Sequence, residues 1–325
     1  MRIGLDVSPL DQTAAGTARY LESLARLDGV ELVRLAHHGS SRAATVYRDA
    51  VWYPLVLPRS ARRERLDVLH CPTFRGPLRS PSCPLVVTVH DLAVLRHPET
   101  FNLWTRHYSR LCVSRVARAA RLMIAVSQAT KRDVVELLGV PEAKIRVVPN
   151  GVAKTFTPDG PAVDGDYVLA VGTIEPRKNL ERLAEATRML GLELRVVGAP
   201  GWGHVELGSG VRRLGRVSDE ELARLYRGAN CLAYPSLYEG FGIPILEAMA
   251  SGAPVATSRG GATEETAGGA AVLVDPLDQA SIAAGIEEAA ARRDELVRAG
   301  LERAREFRWD EVARRTADVY REAVA

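Results

Sequence analysis

Two carboxylates stand eight residues apart in the segment Glu239-Gly240-Phe241-Gly242-Ile243-Pro244-Ile245-Leu246-Glu247. Gly240 and Gly242 let the backbone approach a ligand closely. Pro244 suits the first turn of a helix, where its missing N–H costs little. A helix over 243–250 therefore starts between the two acids. The free N–H groups around Phe241, Gly242 and Ile243, with the helix dipole, favour a phosphate. Beyond Pro244 that helix is otherwise Ile, Leu, Ala and Met, so Glu247 points into a wall or a site, where it could accept two hydrogen bonds from a diol. The bland alternative is a helix-terminal acid at Glu239 and a solvated Glu247. A nucleotide-sugar carries the matching chemistry: sugar hydroxyls, an anionic diphosphate, then a ribose diol.

A second loop, Gly172-Thr173-Ile174-Glu175-Pro176-Arg177-Lys178-Asn179, puts two cations before a predicted helix. Lys178 is one of only four lysines beside 39 arginines. A flexible point charge suits a diphosphate whose charge grows as a leaving group departs; the alternative is a solvated basic loop. His90 ends an apolar run. A lone histidine is more often structural, but at the end of a buried parallel strand it is a binding candidate. Gly16-Thr17 is a weak phosphate-loop signal and not the G-x-G-x-x-G fingerprint, which counts against a dehydrogenase. Ser127 fits the cap of the next helix.

The elements that must hold these residues alternate between strand and helix. Apolar runs predict strands over 3–7, 32–35, 51–57, 67–70, 85–90, 122–126 and 145–148. Tyr20, Leu21, Leu24 and Leu27 fall at helical spacing after Gly16. Helices are expected over 103–119 and 128–138, the latter stopped by Pro141. The stretch 149–166 is rich in Pro and Gly and reads as a linker. A second series follows, with strands over 167–171, 194–197, 231–233, 255–257 and 271–274. Its helices fall over 179–190, 219–228, 243–250, 279–292 and 294–307. Ser218 with Glu221 matches a capping box. A last amphipathic helix over 309–324 carries Val312, Val319, Tyr320 and Ala323 on one face. Two such series imply two doubly wound α/β domains, with ligands outside the carboxyl ends of the strands and the expected site in the cleft between the sheets.

With 325 residues, 46% hydrophobic and 26% charged, the chain has room for two soluble globular domains. No apolar run reaches a membrane span, and the N-terminus lacks a signal peptide's apolar core. The expected location is cytoplasmic, with reduced thiols at Cys71, Cys83, Cys112 and Cys231. Residues 1–150 hold 22 Lys+Arg against 13 Asp+Glu, and residues 151–325 hold 21 against 27. That asymmetry is either chance scatter or a sign that the first half meets something anionic: a membrane surface, a lipid phosphate or nucleic acid. Arg59, Arg62, Arg63 and Arg65 form one cluster; Arg106, Arg110, Arg115, Arg118 and Arg121 follow near Trp104 and Tyr108. No nucleic-acid motif surrounds them.

Taken together, the Gly16 loop, Val86-Val87-Thr88-Val89-His90-Asp91-Leu92, Val126-Ser127-Gln128, Val148-Pro149-Asn150-Gly151-Val152, the Gly172–Asn179 loop and the E-x7-E pair resemble the retaining glycosyltransferases of family 4. The resemblance covers nearly the whole chain. It implies a GT-B fold: an acceptor-binding Rossmann-like domain over 1–150, a nucleotide-sugar-binding one over 151–308, and a C-terminal helix over 309–325 crossing back to the first. It further implies an NDP-sugar donor, with a slight lean to GDP-mannose over UDP-sugars, a carbohydrate or lipid-linked acceptor, and no metal. Carried to matching positions, Lys178 and Arg177 would hold the diphosphate. Glu239 would hold the donor sugar with Phe241 and Gly242 backbone, and Glu247 the ribose. Gly16 would close on the phosphates, His90 would meet the sugar near its anomeric carbon, and Val217 would sit by the base. Many members place an arginine directly after the loop glycine, where this chain has Thr173; either Arg177 replaces that charge or Lys178 acts alone. The chain is also somewhat short for the family, which points to reduced acceptor-side loops.

The expected reaction is hexose transfer to a hydroxyl with retention, by same-face displacement, because no carboxylate nucleophile stands out in the first domain. A non-catalytic nucleotide-sugar-binding subunit and a nucleotide-sugar epimerase are the competing readings.

Overall fold

The computed structural model of the chain describes residues 1–11, 16–25, 29–101 and 103–325. Leu27 and the end of the loop before Gly16 lie outside the described residues. The chain divides into two units: Met1–Pro98, Asn102–Asn150 and Trp309–Ala325 form one, Glu99–Phe101 and Gly151–Arg308 the other.

The first unit is built on a parallel sheet of strands β1 (Arg2–Asp6), β2 (Glu31–Leu35), β3 (Val68–Cys71), β4 (Leu85–Val89), β5 (Leu122–Ala125) and β6 (Ile145–Val147). Their spatial order is β2-β1-β3-β4-β5-β6. The second unit has β7 (Tyr167–Val171), β8 (Glu193–Val197), β9 (Val211–Gly215), β10 (Cys231–Tyr234), β11 (Val255–Ser258) and β12 (Val272–Val274), ordered β12-β11-β10-β7-β8-β9. Strands β3, β4, β5 and β10 are buried at every residue, as runs covered by helices on both faces must be. In each sheet the winding reverses once, between β1 and β3 and between β7 and β10. A crevice opens at that point beyond the strands' carboxyl ends.

The closing helix Trp309–Val324 belongs to the first unit. Its Val312, Val319, Tyr320 and Ala323 join Ile3, Leu5, Tyr20, Leu21, Val68 and Val86 in one core. Full burial of each large apolar side chain contributes roughly 1.5–3 kcal/mol. Ser218 caps the helix Asp219–Gly228 by accepting from Glu221 N at 3.2 Å. Ser127 caps Gln128–Leu138 by accepting from Thr130 N at 2.9 Å. All four cysteines are free thiols.

Two expectations need correction. Residues 51–57 are helical, not a strand: Arg48–Val56 is a wide-turned segment running into Leu57–Arg63. Asp49, Tyr53, Leu57 and Ala61 are buried at four-residue spacing, a helical stripe that the continuous apolar run hides. Leu57 N–H donates to Trp52 O, and this wider turn accommodates Pro54, which a regular turn tolerates poorly. The helix Gln128–Leu138 ends at Gly139, in the left-handed conformation (φ +65°), before Pro141 is reached. Two further elements, β9 and the helix Gly261–Ala267, lie outside the sequence expectation, because neither carries an apolar period. The former is an edge strand with only Arg212 and Arg213 exposed, and the latter is capped by Gly260 and Gly268.

Candidate active site

At the β7/β10 switch point the second unit places two loops side by side. Gly172 leaves β7 with φ +145°, and a Cβ there would lie 3.1 Å from Lys178 Cε. Gly198, after β8, packs so tightly that a Cβ would fall 1.9 Å from Gly172 O. The loop then makes a short helical turn, Pro176–Lys178, ending at left-handed Asn179 (φ +58°). Asn179 Nδ2 donates to Pro235 O at 3.0 Å, tying this loop to the one after β10. Leu237 N–H donates to Arg177 O at 2.9 Å and Arg177 Nη1 to Tyr238 O at 2.7 Å, a second tie.

Between the loops lies an ion cluster. Lys178 Nζ donates to Glu239 Oε1 at 2.6 Å and to Tyr234 Oη at 2.8 Å. Arg177 Nη1 donates to Glu239 Oε2 at 2.9 Å, and Nη2 to Glu175 Oε1 at 2.6 Å. The Arg177 and Lys178 side chains are 11% exposed and that of Glu239 9%, so these contacts act in a medium that screens weakly. Burial pushes the Glu239 carboxyl up, but Arg177 and then Lys178 outweigh it and hold it at about 2. Burial pulls Lys178 down against the pull of Glu239, and it pushes Glu175 up against Arg177. Burial, then Glu239, push Tyr234 well above its ordinary value, so it stays a neutral donor. With two acids and two cations the cluster is formally neutral.

Glu239 and Glu247 have separate surroundings. Glu247 is 2% exposed within the helix Ile243–Ala250, and its Oε2 accepts from Tyr226 Oη at 3.1 Å. The helix starts at Gly242, whose φ of +104° is left-handed. Phe241 is buried against Phe307, with ring centroids 5.8 Å apart, and its carbonyl accepts from Thr266 Oγ1 at 2.7 Å. Ile243 is half-buried at the first helical position. Thr173 is half-buried, its methyl 2.5 Å from where a Cβ on Gly201 would stand. Val217, half-buried, follows β9 by two residues just before Ser218.

In the first unit, Gly16 opens the helix Gly16–Leu24 and His90 follows β4. Tyr20 of that helix meets His90 edge-on, with ring centroids 5.1 Å apart and planes at 83°. Burial pulls His90 down to about 4, against smaller upward effects of Asp91 and a Pro72 backbone hydrogen bond. His90 is therefore neutral at pH 7. Its Nε2 has no partner among the described residues. A neutral imidazole bonded to a carbonyl through Nδ1–H presents Nε2 as an acceptor.

The two units thus hold separate groups: Lys178, Arg177 and Glu239 in direct contact in one, Gly16 and His90 joined through Tyr20 in the other. The sequence reading did not single out Tyr234, Tyr226 or Glu175 as site residues. Tyr234 is the last residue of β10, and the switch-point rule alone points to it.

Paired parallel sheets with reversed winding, and charged loops at the β7/β10 crevice, define a glycosyltransferase of the GT-B fold. The sucrose-phosphate synthase of Thermosynechococcus elongatus superposes with a TM-score of 0.81, covering 99% of this chain and 98% of its own, at 21% identity. Residues 15–155 match the profile described as Glycosyltransferase Family 4 and residues 154–307 that described as Glycosyl transferases group 1. The O-antigen chain mannosyltransferase B of Escherichia coli is 31% identical over 302 residues, 83% of this chain and 79% of that protein. The MMP alpha-(1->4)-mannosyltransferase of Mycolicibacterium hassiacum is 33% identical over 300 residues, 82% of this chain and 73% of that protein. The chain belongs to glycosyltransferase family 4.

Proposed function

We propose that this enzyme transfers a mannosyl group from GDP-mannose to a hydroxyl of a cell-envelope carbohydrate or lipid-linked acceptor, with retention. The Lys178–Arg177–Glu239 cluster carries the reading. It pairs two cations suited to a departing diphosphate with an acid suited to sugar hydroxyls. As donor binds, its phosphates compete with Glu239 for Lys178. The freed carboxylate, ionised well below neutral pH, then accepts from the sugar. Positive charge opposite the leaving group stabilises it as the C1–O bond breaks. The acceptor oxygen forms the new C1–O bond on the same face, and its proton passes to the leaving phosphate oxygen. No step calls on a metal. Gly242 and Ile243 offer the amides at the start of the helix Ile243–Ala250 to phosphate. Glu247 accepts from the ribose hydroxyls, beside Tyr226. Thr173 lines the diphosphate loop, Val217 lies by the base, and His90 Nε2 accepts from a sugar hydroxyl. The mannosyl donor rests on the names of the two relatives.

A thermal-shift screen tests the donor, since a ligand that binds the folded state raises the melting temperature. GDP-mannose should shift it most; a larger shift with UDP- or ADP-sugars contradicts this donor.

The helix Leu103–Ala119 supports peripheral contact with an anionic membrane, for an enzyme working at the inner face. Its exposed Leu103, Trp104 and Leu111 accompany exposed Arg106, Arg110, Arg115 and Arg118. Among the described residues no helix is long and apolar enough to cross a membrane. Vesicles rich in anionic lipid should sediment the protein; failure to do so at low salt would refute this contact.

A further inference from the structure

A chain of buried polar groups runs through the first unit from the closing helix to His90. Tyr320 Oη meets His70 Nδ1 at 2.6 Å, His70 Nε2 meets Thr88 Oγ1 at 2.8 Å, and Thr88 Oγ1 meets Tyr20 Oη at 2.9 Å. All four residues are fully buried. Thr88 and His90 are two residues apart along β4 and its continuation, so they face the same side. Tyr20, fixed by its hydroxyl on Thr88, sets its ring edge-on against His90. Burial also keeps His70 neutral at pH 7, so it joins the two hydroxyls as one donor and one acceptor.

We propose that Tyr320, His70, Thr88 and Tyr20 form a positioning relay by which the closing helix holds the His90 ring, and its unpartnered Nε2, in working orientation. The proposal rests on the reading that His90 contacts the donor sugar. The polar tips of these four side chains are already bonded to one another, whereas His90 Nε2 has no partner among the described residues, so their effect on catalysis passes through His90. A satisfied buried network fixes geometry more rigidly than packing alone, and small misplacement of a reacting group lowers turnover steeply.

The test is a double-mutant cycle on nucleoside diphosphate release, using the donor selected by thermal shift and normalising to folded protein. Tyr320→Phe and Tyr20→Phe keep both rings, so each breaks the relay while preserving packing. Each should lower kcat on the order of tenfold, with donor KM changed less than about twofold. In a His90→Ala background, neither should lower kcat further. Equal losses with and without His90, or wild-type kcat in both Tyr→Phe variants, overturn the relay while leaving His90's own role intact. Wild-type turnover in His90→Ala itself overturns the reading of His90 and the relay with it.

Discussion

Glu239 and Lys178 divide the work differently from what their spacing implies. The sequence pairs Glu239 with Glu247, yet the folded chain pairs Glu239 with Arg177 and Lys178, about sixty residues upstream, and gives Glu247 to Tyr226. The loop residues were legible because glycine, proline and isolated charge after an apolar run mark a ligand loop. Their partners were not, because side-chain pairing across two loops leaves no local pattern. The Glu239 carboxyl, held at about 2 against an ordinary 4.5, has a folded value below its unfolded one. Its stabilisation is therefore complete above pH 4.5 and is lost as pH falls through 2. Thermal melts of wild type and Glu239→Gln should differ by a constant gap from pH 7 to 4.5. That gap should shrink below it. A gap that persists undiminished at pH 3 would mean the carboxylate is not ion-paired as described.

Elements were legible where an apolar stripe or run met a cap or breaker, as in Gln128–Leu138 and Asp219–Gly228. They were hidden where burial was partial or the run continuous, as in β9 and the segment 48–63. Placing Trp309–Val324 against the first unit has an energetic consequence. Tyr320 is fully buried among Ile3, Val68, Val86 and Tyr20. Tyr320→Ala should destabilise that unit by about 3–5 kcal/mol, read as a lower denaturant midpoint at unchanged slope; an unchanged midpoint would take the helix out of the core. At the other ligand edge, Gly242→Ala forces a Cβ onto a φ of +104° and within 3.0 Å of Ile245 Cδ1. It should weaken donor binding about tenfold, by isothermal titration on the folded protein, and lower the melting temperature through about 1–3 kcal/mol of backbone strain. Tighter binding or none of this loss would show that the helix start does not hold the donor.

At the scale of the whole molecule, alternating strands and helices are enough to read two doubly wound sheets from sequence, because each buried parallel strand is a short apolar run followed by a polar turn. The order of strands within each sheet follows from structure alone, and with it the crevice between β7 and β10. Longest in reach is the relay from Tyr20 to Tyr320, spanning three hundred residues; no period or motif connects its ends. The two halves carry nearly equal numbers of cations, 22 and 21 Lys+Arg, and differ in their acids, 13 against 27, so the charge asymmetry is a shortage of carboxylates in the first half. The central claim is that Lys178, within its cluster, stabilises the departing diphosphate. Turnover of folded Lys178→Ala, measured as nucleoside diphosphate released from the selected donor in the presence of acceptor, addresses it most directly. A fall on the order of a hundredfold or more is expected, and turnover close to wild type would contradict it.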